Sequence, residues 1–203
     1  MDIYLEGKQR SGNVFLSYAI AMTTGLDIIS PRTHRLETLK NYNKPNPFVV
    51  PVRDALPSIA SAKIFKDWVL ESGSFTLREK TQNPGYIIEQ YNIYMQYLVD
   101  NPKFFIAPFH EFTKDHNKVI SKLSKQYPFI QNVRNVTYEE IAEASCKHDP
   151  MFFNPETGNL PRPNPKKEEV EKMLLSEYLE EIEGIQLNID KLYERYYSLP
   201  DFD

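Results

Sequence analysis

Five consecutive residues, Phe48-Val49-Val50-Pro51-Val52, constrain the architecture more than any other stretch of this chain. A strand of near-continuous apolar, largely β-branched character has no polar face to turn to water. Both of its faces must be covered, which is the situation of a strand inside a parallel sheet layered by helices. Pro51 is a blemish on that reading, because a proline cannot donate to a sheet ladder. Ile3-Tyr4-Leu5, Leu26 to Ile29, Phe104-Phe105-Ile106-Ala107 and Val133 to Val136 read as further short strands. Helical spacing runs from Ser11 to Thr24, Arg35 to Tyr42, Ala55 to Leu70, Tyr86 to Val99, Asp115 to Tyr127 and Tyr138 to Cys146. Strands alternating with helices predict an α/β fold with a central, mostly parallel sheet flanked by helices.

Two polar stretches interrupt the pattern. Ser72 to Gly85 reads as a loop, and 148–165 carries five prolines and one glycine. Beyond it, Lys166 to Leu199 forms one long helical pattern, about 50 Å if unbroken. Gly184 marks the place where a kink is expected. The apolar positions of this helix, among them Val170, Leu174, Ile182, Ile185, Ile189 and Leu192, form a stripe for packing or for a homodimer face. The 203 residues suit one domain: a core over 1–147, a proline-rich loop over 148–165 and a terminal helix over 166–199.

With 24 basic and 28 acidic residues the formal net charge is −4, so no global basic field points to nucleic acid as partner. The lone Cys146 cannot form an internal disulfide and fits a reducing compartment. No apolar run approaches the roughly 18 residues of a membrane span, and Met1 to Glu6 does not read as a signal peptide. A soluble, cytoplasmic protein is the expectation.

The chemistry gathers at two places. Gly7-Lys8-Gln9-Arg10-Ser11-Gly12 lies between the first strand and the first helix, where backbone N–H groups of a turn and a helix N-terminus can face an anion. The glycine spacing matches a Walker A loop, but Asn13 and Val14 stand where that loop needs Lys and Ser/Thr for the nucleotide phosphates and magnesium. An ordinary magnesium-dependent NTPase is therefore excluded. The bland alternative is a glycine turn with exposed basic residues. The second place is Arg53, which ends the strong strand and faces the crevice where α/β proteins bind ligands. Ser61 lies eight residues further, about two turns into the next helix. Arg supplies a fork of donors for a phosphate and Ser a hydroxyl.

These stretches resemble the sulfotransferases that use 3′-phosphoadenosine 5′-phosphosulfate (PAPS). Their 5′-phosphosulfate loop commonly reads P-[KR]-S-G-T-T. Gln9-Arg10-Ser11-Gly12-Asn13-Val14 matches the basic residue, Ser and Gly, and departs at Pro and both Thr. Their 3′-phosphate motif, V-x-R-[ND]-P-x-D-x-x-x-S, is matched at Arg53, Asp54 and Ser61 within Val50 to Ser61, with Ala55 and Pro57 as departures. Many members carry K-T-H before that motif, and Arg32-Thr33-His34 stands in similar register.

The resemblance implies a P-loop-type three-layer fold and transfer of a sulfuryl group from PAPS to a hydroxyl or amine of a small-molecule or nucleotide-like acceptor. No metal would be required. It casts His34 as general base, with Arg10 and Arg32 neutralising developing charge. Gly7 and Arg10, with Ser11, Gly12, Asn13 and Val14, would hold the 5′-phosphosulfate. Arg53 and Ser61, with Arg162 from a late loop, would hold the 3′-phosphate. The short acceptor region leaves two other readings open: a kinase-like enzyme acting on a nucleotide or modified base, and a non-catalytic nucleotide-binding or interaction protein.

Other residues read as structural. Glu37 sits on a solvated helix face. His110, His116 and His148 lack partners at metal-ligand spacing. Asp115-His116 reads as a helix start. The many tyrosines read as packing, with one or two free to stack on adenine.

Overall fold

The computed structural model describes residues 2–8, 12–31, 33–71, 83–131, 133–148 and 165–200. The elements run β1 (Ile3–Leu5), α1 (Asn13–Thr24), β2 (Ile28–Ile29), α2 (Leu36–Lys40), β3 (Phe48–Val52), α3 (Ala55–Glu71), α4 (Pro84–Asp100), β4 (Phe105–Pro108), α5 (Phe109–Lys114), α6 (His116–Gln126), α7 (Tyr138–His148) and α8 (Pro165–Tyr197). Four strands form one sheet in the order β2-β1-β3-β4, and every pairing is parallel.

All five residues of β3 are buried, and alternate residues feed opposite cores. Phe48, Val50 and Val52 join Ile59, Tyr91, Tyr94, Leu174 and Ile189, from α3, α4 and α8. Val49 joins Ile3, Leu5, Leu16, Phe105, Phe112 and Ile120, under α1, α5 and α6. The sheet is thus covered by helices on both faces, as the apolar run requires.

Pro51 is accommodated by where the neighbouring strand stops. The Val49 carbonyl accepts from the Glu6 N–H at 3.2 Å, so Val49 faces β1, and Pro51 shares its parity. Pairing with β1 ends at Leu5 opposite Val49, so the missing N–H falls beyond the ladder. The Glu6 carbonyl accepts instead from the Tyr94 hydroxyl at 3.4 Å.

Three expectations are corrected. Val133 to Val136 is not a strand. The N–H groups of Val133 and Arg134 both go to the Thr23 carbonyl at the end of α1, and Val136 is buried against Ala19 and Ile141. Its apolar residues reflect packing on helices rather than a ladder. The terminal helix departs from helical geometry at Tyr178 (φ −139°, ψ 32°), not at Gly184. Two residues earlier, the Ser176 hydroxyl donates to the Met173 carbonyl at 2.8 Å, a side-chain intrusion into the ladder of the kind that bends helices. The second strand is also shorter than Leu26 to Ile29, with only Ile28–Ile29 paired. The proline-rich loop is outside the described residues over 149–164, as is Ser72 to Gly85 over 72–82.

Gly184 sits in regular helix, and a Cβ built there meets nothing within 4 Å. Gly184→Ala is therefore expected to stabilise the fold by about 0.5–1 kcal/mol, by restricting the unfolded chain. The check is a higher urea midpoint at unchanged slope. No helix among the described residues is long and apolar enough to cross a membrane.

Candidate functional site

Because the strands are parallel, the segments that follow β1, β2, β3 and β4 leave from one edge of the sheet. Those segments carry Gly7, His34, Arg53 and Phe109 respectively. The order β2-β1-β3 places successive connections on opposite sides of β1. The helices that follow β1 and β3 also lie on opposite faces, with α1 over one core and α3 over the other. A crevice opens outside the carboxyl ends of adjacent strands at such a switch point. The two glycine- and arginine-bearing segments flank it.

Gly12 caps α1 in the left-handed conformation, with φ 87° and ψ 20°. Its missing side chain is also demanded by packing. A Cβ there would stand 2.6 Å from Phe112 Cζ and 3.0 Å from Phe109 Cδ2. The first intrahelical bond is the Leu16 N–H to the Gly12 carbonyl at 3.0 Å. The N–H groups that precede it in the first turn are those a helix leaves for a cap or an anion.

Asn13, the residue that breaks the Walker pattern, ties the start of α1 to the residues just after β1. Its Nδ2 donates to the Gly7 carbonyl at 3.2 Å and to the Lys8 carbonyl at 3.0 Å. Lys8 is buried, not an exposed basic residue of a glycine turn. Its ammonium lies 5.1 Å from the Tyr94 ring and 5.5 Å from the Tyr91 ring, turned toward α4. Burial lowers its pKa to about 8; Lys66 adds to the shift and Glu37 opposes it.

His34 is the one non-glycine described residue with positive φ, at 55°. Its backbone N–H donates to Glu6 Oε1, and its Nδ1 lies 2.7 Å from the Gly7 carbonyl. A carbonyl only accepts, so Nδ1 carries the proton. In the neutral ring Nε2 then holds a lone pair. The side chain is one-quarter exposed.

The Arg53 guanidinium lies 4.5 Å from the centroid of the Phe109 ring, the same ring that closes on Gly12. One aromatic side chain thus links the two halves of the sequence-predicted site. The turn after β3 is held from α8. Asp54 Oδ1 accepts from the Tyr193 hydroxyl at 3.1 Å, and Gln186 Oε1 accepts from the Ala55 N–H at 2.9 Å. Burial first, and then Asp54, push the Tyr193 phenol far above its ordinary range. Ser61 sits half-buried on α3 and makes no hydrogen bond to any of these groups among the described residues. Arg10, Ser11, Arg32 and Arg162 lie outside the described residues.

Two features were not anticipated from the sequence. Glu6 is fully buried at the carboxyl end of β1. The clue was available: a carboxylate placed directly after an apolar strand and before a glycine, at the edge where α/β proteins bind ligands. The second is a relay on α5 and α8. His110 Nε2 lies 2.7 Å from the Tyr197 hydroxyl, which donates to Glu111 Oε1 at 2.9 Å. Asp115 caps α6 through the Lys118 N–H at 3.2 Å, as its helix-start reading implied. His116 is buried with Nε2 2.9 Å from the Val136 carbonyl. Among the described residues, no group of three His, Cys, Asp or Glu is placed to hold a metal ion.

The fold and this edge define an α/β protein with a four-stranded parallel sheet and a candidate anion crevice between β1 and β3. No protein-family model, curated protein or solved structure matches the chain.

Proposed function

We propose that the chain is a sulfotransferase-like enzyme that transfers a sulfuryl group from PAPS to an acceptor hydroxyl or amine, with His34 as general base. The observation that carries this reading is the bond from His34 Nδ1 to the Gly7 carbonyl. It leaves the Nε2 lone pair of a partly exposed imidazole beside the loop that would hold the donor's phosphosulfate. Gly12 in the left-handed conformation and the first turn of α1 suit an anion, and Arg53 stands across the Phe109 ring as a second anchor for the 3′-phosphate.

In the reaction, the acceptor O–H or N–H gives its proton to His34 Nε2 while the oxygen or nitrogen attacks sulfur. The bond from sulfur to the bridging oxygen breaks, and its electron pair leaves with adenosine 3′,5′-bisphosphate. Arg10 and Arg32 would neutralise the charge that builds on the leaving group. Asn13, bonded to the loop's own carbonyls, offers no cation for a β/γ-phosphate, which favours this donor over magnesium-ATP.

Thermal shift with adenosine 3′,5′-bisphosphate tests the reading. A magnesium-independent rise in Tm is expected, since a ligand held at about 100 times its Kd stabilises by about 2.7 kcal/mol. Arg53→Ala should abolish the rise. A response to magnesium-ATP alone would select the kinase-like reading. The Phe109 and Phe112 rings packed on the Gly12 turn favour a second possibility, a non-catalytic interaction protein, and no response to either ligand would select it.

A further inference from the structure

We propose that Glu6 is a positioning residue for His34, holding its left-handed backbone in place and balancing the charge its imidazole gains as it takes a proton. This rests on the reading of His34 as general base. Glu6 is fully buried, and its Oε2 has no hydrogen-bond partner among the described residues. A buried carboxylate oxygen without a donor is costly and calls for a reason. Its other oxygen supplies one. Oε1 accepts the His34 N–H and lies 3.4 Å from His34 Nδ1, while Nδ1 itself bonds the Gly7 carbonyl.

The arrangement separates two tasks. Gly7, through its carbonyl, fixes the tautomer, so the proton already resides on Nδ1 and the acceptor's proton goes to Nε2. Glu6 fixes the backbone that presents the ring. The φ of 55° is a conformation that a non-glycine residue keeps only when its surroundings impose it, and the N–H bond to Glu6 is the imposing contact. When Nε2 takes the acceptor's proton, the ring becomes cationic beside an anion that is already buried, so no water need reorganise to stabilise it. The Glu6 backbone is itself tied on both sides: its N–H bonds the Val49 carbonyl and its carbonyl accepts from Tyr94. Fully buried, Glu6 offers no exposed surface to an acceptor or a donor, so its effect is expected on turnover and not on donor binding.

The test uses Glu6→Gln, which keeps an acceptor oxygen for the His34 N–H but removes the charge, and Glu6→Ala, which removes both. Turnover should fall roughly 10-fold in Glu6→Gln and 100-fold in Glu6→Ala, the range seen when the partner orienting a functional histidine is removed. The KM for PAPS should stay within about twofold. A second readout needs no activity. Ring nitrogen NMR of the whole protein should show the Nδ1–H tautomer in wild type and Glu6→Gln, and a mixture in Glu6→Ala, where the released backbone lets the ring leave the Gly7 carbonyl. A folded Glu6→Ala with unchanged tautomer and turnover overturns the proposal. Should both variants fail to fold, amide hydrogen exchange in the wild type decides: a His34 amide without protection overturns it. Absence of sulfuryl transfer by the wild type, with the tautomer and the protected amide intact, sinks the base reading and leaves the Glu6–His34 hold standing.

Discussion

Gly12→Ala is expected to lower stability by about 2–5 kcal/mol and to drop Tm on the order of 10 °C. Two independent costs add. At φ 87° an L-residue carries a Cβ in the left-handed region, costing about 1–2 kcal/mol. That Cβ also arrives 2.6 Å from Phe112 Cζ and 2.9 Å from Cε2, a ring packed in the core beneath α1. Forcing such an overlap in a packed interior costs about 1–3 kcal/mol more. Two further variants separate the terms. Gly12→Asn brings the same Cβ on a residue that tolerates the left-handed region, so it should keep mainly the steric part. Phe112→Leu removes the offending ring atoms. In that background the Phe109 Cδ2 contact at 3.0 Å remains, and Gly12→Ala should cost mainly the conformational term of about 1–2 kcal/mol, so the double-mutant cycle shows coupling of the size seen for touching residues. Urea unfolding measures all four corners. Equal costs for Gly12→Ala in both backgrounds would mean that Phe112 does not close on the turn. The same substitution should also abolish stabilisation by adenosine 3′,5′-bisphosphate, because the turn that would face the anion is displaced.

The parts of this fold that were legible in the sequence are those where burial writes itself into residue order. β3 is apolar at every position because it is covered on both faces, and nothing but helices on both sides could cover it. The stripe on α8 likewise reports its docking on α3 and α4. The same signal misleads where apolar residues pack without pairing. Val133 to Val136 looks like a strand, but its N–H groups end on the Thr23 carbonyl. Composition also misplaces the bend in α8. Gly184 is permissive, yet nothing there pushes the backbone, whereas the Ser176 hydroxyl competes for a ladder carbonyl two residues before Tyr178. Helix α5 escaped because six residues between Pro108 and Asp115 are too few for a periodicity.

The candidate site divides along the same line. Chain order located Gly7, Gly12, His34 and Arg53, since each follows a strand, and a parallel sheet brings such segments to one edge. What chain order cannot carry is how side chains meet across that edge. Phe109 lying between Gly12 and Arg53 is a contact over more than fifty residues of sequence, made by the β3–β4 pairing. The left-handed φ of His34 and its bond to Gly7 depend on contacts between residues after β1 and residues after β2, which no local propensity encodes. Asn13 breaks the Walker pattern and is expected beside the phosphosulfate, and its amide bonds the Gly7 and Lys8 carbonyls, which spacing alone does not reveal.

His34→Ala is expected to cut sulfuryl transfer by about 10²–10⁴-fold, the range for losing a positioned general base, equivalent to about 3–5 kcal/mol of barrier at 1.36 kcal/mol per decade. The KM for PAPS and the thermal response to adenosine 3′,5′-bisphosphate should not change, because on the proposed reading the imidazole would meet the acceptor's proton and not the donor's phosphates. Alanine alone is an imperfect probe. It also sits in the left-handed region, at a cost of about 1–2 kcal/mol, so a lower Tm accompanies the lost activity. His34→Asn removes that ambiguity. Asparagine accepts the left-handed backbone, and its amide can still donate to the Gly7 carbonyl 2.7 Å from the present Nδ1, but it has no nitrogen lone pair for a proton. The expected result is a His34→Asn protein with wild-type Tm, wild-type bisphosphate binding and the turnover of the alanine variant. Wild-type turnover in His34→Asn would show that the residue shapes the loop and takes no proton. Loss of bisphosphate binding in both variants would move His34 from the acceptor side of the crevice to the donor side, and the base would then have to be sought elsewhere along the same sheet edge. A candidate among the described residues is His110, which is bonded to Tyr197 and lies on the segment that follows β4.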